Sequence, residues 1–105
     1  MVRSANPFQP SLSGVTVPFS TSSIPTTLTQ IFANDCWLRG FLIANPTNGN
    51  INVQIQDGNG IYIVPPNDPL VPGGFIAFEG VDFMTGGIFW QASAPGLHGR
   101  GRYTL

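Results

Sequence analysis

The chain has 105 residues, of which 9% are charged and 42% hydrophobic, and its net charge is −1. Four Arg and no Lys are too few for the broad phosphate-facing stripe that nucleic-acid binding requires. No apolar run approaches the roughly twenty residues of a membrane helix, so neither nucleic acid nor a membrane is expected as a partner.

The length predicts one domain with a thin core. An ordinary domain carries about 25% charged residues, so the deficit lies on the surface, where Asn, Gln, Ser, Thr, Gly and apolar side chains must stand instead. Such a surface repels its copies weakly, which predicts assembly. One Cys rules out an internal disulfide, so a chain with 13 Gly and 10 Pro must be held by packing or by partners. Pro7, Pro10 and Pro18 interrupt any apolar stretch near the start, so no secretory leader is expected.

Helical periodicity is almost absent, and the chain reads as all-β: a single-domain antiparallel sandwich of seven or eight short strands, with a jelly roll as one form of it. Residues 1–13 are polar and Pro-bearing and predict an extended N-terminal arm, leaving 14–105 as the sandwich domain. A strand at 14–19 contains Pro18, which argues for a sheet edge or a strand end there. The run "DCWLRGFLIANP" predicts a central strand with Trp37, Arg39, Phe41 and Ile43 on one side and Cys36, Leu38, Gly40 and Leu42 on the other.

"NPTNGN" predicts a turn through Asn48 and Gly49. In "INVQIQDGNGIYIVPP", Ile51, Val53 and Ile55 alternate with Asn52, Gln54 and Gln56, and the pattern predicts a hairpin turning at 57–60. "FIAFEG" restarts alternation at Phe75. Residues 87–93 and 97–105 predict a last hairpin, in which His98, Arg100, Arg102 and Thr104 share one side and Leu97, Gly99, Gly101, Tyr103 and Leu105 the other.

Candidate chemistry is sparse. His98 as a base for Cys36 is poorly supported, because Cys36 lies in the most apolar run, where an inert buried thiol is usual. One His and one Cys fall short of a zinc site. Asp57, Asn59 and Asp68 offer oxygen ligands for calcium, but hairpin-turn chemistry explains them better. Glu79 and Asp82 read as carboxylates at a strand end. No enzyme activity, cofactor or metal is expected.

Binding is the better lead. Phe89 and Trp90 are adjacent and face opposite ways, so one of them stands outside the core. An exposed ring there either stacks on sugars, anchors a protein interface or is covered by the arm. Gly99 and Gly101 clear one side of the last strand, so that a backbone or an aromatic ring can approach it. Arg100 and Arg102 then form a cationic edge suited to carboxylates, with Glu79 and Asp82 of a neighbouring subunit as candidates, or a charged edge that deters strand addition. The interface candidates are Arg100, Arg102, His98, Trp90, Phe89, Phe8 and Arg3.

Two stretches carry a resemblance. "CWLRGFLIANPTNGN", with Leu38-Arg39-Gly40 and Ala44-Asn45-Pro46-Thr47, and "GGIFWQASAPGLHGRG" near the end together resemble small virion proteins of tailed bacteriophages, of the decoration, cement or fibre-associated kind, over residues 35–103. The resemblance implies a non-enzymatic building block in the virion, made in the host bacterial cytoplasm. It would act as a dimer or trimer docked on a larger protein such as the major capsid protein. The alternative expectation is a carbohydrate-binding β-sandwich module using Trp90 or Trp37.

Overall fold

Residues 14–105 are described by the computed structural model, and the expected arm, with Arg3 and Phe8, lies outside them. The strands are β1 (Thr16–Thr21), β2 (Thr29–Phe32), β3 (Cys36–Ala44), β4 (Ile51–Asp57), β5 (Tyr62–Val64), β6 (Pro69–Leu70), β7 (Phe75–Met84), β8 (Ile88–Ala92) and β9 (His98–Thr104). There is no helix among the described residues.

The middle of the chain turns at Asp57. Its carboxylate Oδ1 accepts the N–H groups of Asn59 and Ile61, both at 2.9 Å, so a short acidic side chain stands in for missing backbone partners and drives the chain back. From there the strands pair outward in nested order: β4 with β5, β3 with β7, β2 with β8 and β1 with β9, all antiparallel. This is one long folded ribbon.

The ribbon then curls, because β9 also pairs with β3 and β8 also pairs with β4. Two sheets result, ordered β1-β9-β3-β7 and β2-β8-β4-β5, with β6 beside β4. That wrapping is a jelly roll, in which the sandwich faces each bury one side of an amphipathic sheet. Pro18 lies on the edge strand β1, as its missing N–H requires, and β3 is central.

The expected closing hairpin does not form. Ile88–Ala92 and His98–Thr104 sit in opposite sheets, and residues 93–97 carry the chain across the core. Burial decides this: Leu97 is fully buried, its carbonyl accepts the Ile24 N–H at 2.9 Å, and Gly96 N–H donates to Ser23 Oγ at 3.0 Å. A tight hairpin would leave Leu97 in water.

Simple alternation also fails along β3. The register shifts between Leu38 and Gly40, so Arg39 is the extra residue of a bulge facing β9. Cys36 and Leu38 before it, and Phe41 and Ile43 after it, all reach the core, while Trp37 and Leu42 face out. The turn at 45–50 differs too. Instead of Asn48 and Gly49, the buried Asn45 holds it: its Nδ2 donates to the carbonyls of Gly49 (2.8 Å) and Leu70 (2.7 Å), and its Oδ1 accepts Thr47 N–H (2.9 Å).

The core of Ile24, Leu38, Ile43, Ile55, Ile88 and Leu97 is closed by aromatic rings lying on bare backbone. A Cβ at Gly99 would stand 2.7 Å from Trp90 Cζ3, and one at Gly101 would stand 2.6 Å from Phe19 Cζ and 2.5 Å from the Gly40 carbonyl oxygen. The two rings themselves meet edge to face, 5.5 Å between centroids. Gly99→Ala should therefore cost about 1–3 kcal/mol through overpacking, lowering the melting temperature by roughly 4–8 °C per kcal/mol. Gly49→Ala, where nothing lies within 4 Å, should change it little; thermal denaturation followed by circular dichroism compares the two.

Candidate functional site

The two outer faces of the sandwich differ in chemistry. On the β2-β8-β4-β5 sheet, the residues of β4 that point away from the core are Asn52, Gln54 and Gln56, all half-buried. Phe89 lies beside Gln30 and Gln56 on this side. The face is an uncharged amide surface.

The β1-β9-β3-β7 sheet presents something else. Its alternation puts Leu97, Gly99, Gly101 and Tyr103 toward the core, which leaves His98, Arg100 and Arg102 exposed in a line down β9. Alternate residues of a strand are spaced by roughly 6.8 Å, so the two guanidinium groups stand one above the other. The cross-strand register then supplies their neighbours. Arg100 lies between Ser20 on β1 and Leu42 on β3, and Ala77 of β7 lies beyond Leu42. Arg102 lies between Pro18 and Gly40, with Glu79 on the far side of Gly40. His98 neighbours Ala44, and Phe75 follows.

Two shallow basins meet at Arg100. One, of about 540 Å³, is bordered by Arg39, Arg102, Leu42, Ala77 and Glu79. The other, of about 760 Å³, runs from Leu42 and Ala44 past His98 to Pro18 and Ser20. Gly40 has no side chain to fill the ground between Arg102 and Glu79. The bulge that inserts Arg39 turns a third guanidinium to the same border. The arrangement can hold anionic groups bidentately against an apolar floor.

The expected interface residues do not gather in one place. Arg100, Arg102 and His98 share the face just described, Phe89 stands on the opposite face, and Arg3 and Phe8 lie outside the described residues. Trp90 is a correction: it is 5% exposed and packs in the core over Gly99, because β8 turns it inward opposite Ile55, so its ring is closed to a sugar or a partner. Trp37 is half-buried on the outer side against Phe83, with ring centroids 4.8 Å apart, and its Nε1 is shut from solvent with no hydrogen-bond partner among the described residues.

Phe75 is one of the aromatics in excess of what one thin sandwich can hide, whereas Leu42, Ala44 and Arg39 are not singled out for binding by the sequence. The signal for them was the isolated Gly40 within a strand, which marks a bulge and hence a change of face. Other expectations resolve by distance. Cys36 and His98 take opposite ends and opposite faces of the sheet: His98 pairs with Ala44, eight residues or roughly 26 Å along β3 from Cys36. Asp57 spends its carboxylate on the hairpin turn. Among the described residues no three His, Cys, Asp or Glu side chains converge.

Cys36 is 1% exposed, and burial, reinforced by the negative charge of Asp35, pushes its thiol up to about 11. The neighbouring Tyr103 hydroxyl is also raised, first by burial and then by Cys36. Below pH ~9 the thiol is protonated in both states; between about 9 and 11 only the unfolded chain loses the proton, so stability falls as pH rises. The expected loss across that window is about 2–3 kcal/mol, and Cys36→Ala should reduce the slope without abolishing the share of Tyr103. Urea denaturation at several pH values measures it. No family model matches the chain, and no curated protein matches it.

Proposed function

We propose that this chain is a non-enzymatic assembly module, a jelly-roll building block that joins copies of itself and docks on a larger shell, as a virion structural protein of a tailed phage does. The observation that carries this reading is the strand β7. Among the described residues it forms one edge of its sheet, with no strand paired on its outer side, and it exposes Phe75 (67%), Val81 (47%) and Phe83 (43%). Solitary sandwiches blunt such edges with Lys, Pro or short strands. β7 has ten residues and only two charges, Glu79 and Asp82.

A second copy offers what this edge lacks. Pairing along Phe75–Glu79, before the irregularity opposite Leu38 and Gly40, would satisfy open backbone groups. Covering Phe75 would contribute about 1–2 kcal/mol per subunit. The low charge of the whole chain leaves little repulsion to oppose the approach. The burial of Trp90 removes one of the two rings named for the sugar-binding alternative; the other, Trp37, is half-buried on the outer side against Phe83.

Multi-angle light scattering of the purified chain at micromolar concentration should report a dimer or trimer. Phe75→Ser combined with Phe83→Ser should shift the population toward monomer while the β-sheet circular dichroism persists. A wild-type chain that stays monomeric overturns the self-assembly reading.

A further inference from the structure

We propose that the outer face of the β1-β9-β3-β7 sheet receives an extended acidic segment of a partner protein, whose alternate carboxylates pair with Arg100 and Arg102. This inference rests on the reading of the chain as a docking module and names the chemistry of what it docks on.

Charge distribution is the first support. The chain carries four Arg against five acidic residues, yet Arg39, Arg100 and Arg102 all border this one face, which holds a single carboxylate, Glu79. A net-negative chain does not attract anions by its overall field, so an acidic partner is selected here and nowhere else on the described surface. Spacing is the second. Arg100 and Arg102 are two residues apart on one strand, and the alternate side chains of an extended peptide repeat at the same roughly 6.8 Å. A planar guanidinium holds a carboxylate through two parallel bonds, which fixes register as well as affinity.

The floor between the charges decides the class of partner. Beside Arg100 and His98, the outward positions of β3 and β7 are Leu42, Ala44, Ala77 and Phe75, whose side chains offer no hydrogen bonds to a sugar's hydroxyl groups; the one outward carboxylate, Glu79, lies beyond Gly40 from Arg102. An acidic polypeptide with interspersed apolar side chains matches them, since its methyl groups cover Leu42 and Ala44 while its carboxylates reach β9. Covering that apolar ground lowers the local dielectric and strengthens each ion pair.

The test uses the full chain and a fluorescein-labelled peptide of alternating Glu and Val, followed by fluorescence anisotropy. The peptide should bind, binding should weaken with added salt, and the same peptide with Gln for every Glu should bind about tenfold more weakly or worse. The double variant Arg100→Gln, Arg102→Gln touches only exposed side chains, so it should keep its circular dichroism and lose binding by a similar factor. No binding, equal affinity for the Glu and Gln peptides, or an unchanged double variant overturns the proposal. So does a polyuronate oligosaccharide that binds more tightly than the peptide, since that assigns the face to glycans. Failure here with an oligomer still seen by light scattering leaves self-assembly standing; a monomer that binds the peptide does the reverse.

Discussion

The two sheets can meet only because β9 has no side chain where Trp90 and Phe19 must lie. A jelly-roll core this small closes by bringing large rings onto bare backbone, and Gly99 and Gly101 provide that ground. Because β9 pairs with both β1 and β3, it is also the strand that curls the ribbon into a sandwich. Glycine on the inner side has an outer consequence. All the polar chemistry of β9 between residues 98 and 102 is forced outward, where His98, Arg100 and Arg102 stand in line. Core and candidate interface are two sides of one strand, and a change that distorts the first displaces the second.

Polar groups inside the fold are spent on shaping it. Asn45, 1% exposed, ties the 45–50 turn to Leu70, and Asp57, 8% exposed, closes the central hairpin. Each is buried with its hydrogen bonds satisfied, which is the condition for a small core to tolerate it. These residue types also attract attention as ligands or catalysts. Their geometry here is structural, and the surface left to interact is made of a cationic strand, an apolar floor and an open edge.

That surface is asymmetric in a way that suits a building block. The amide face of the β2-β8-β4-β5 sheet carries no charge on its outward strand positions, and its large rings there are Phe89 and Tyr62, both beside Gln56. The opposite face and its edge strand β7 concentrate both. Directional surfaces let a subunit bind one neighbour through an edge and another through a face without aggregating in all directions.

Much of the fold was legible in the residues themselves. Alternation through Ile51, Val53 and Ile55, the Asp57 turn, the Pro18 edge and the bare side of β9 are local properties, set by side-chain period and turn stereochemistry within a few neighbours. The line of His98, Arg100 and Arg102 was readable for the same reason. Which strands pair was not, because residues 87–105 offer a good local hairpin, and only the burial of Leu97 against Ile24 sends β8 and β9 into different sheets. The bulge at Arg39 likewise comes from fitting β3 between β7 and β9 at once, and it decides that Leu42 faces out and Phe41 faces in. Period and composition are written along the chain; the partner across each ladder, and so the inward turn of Trp90 and the floor beside the arginines, depends on contacts distant in sequence, which exist only once the sandwich has closed.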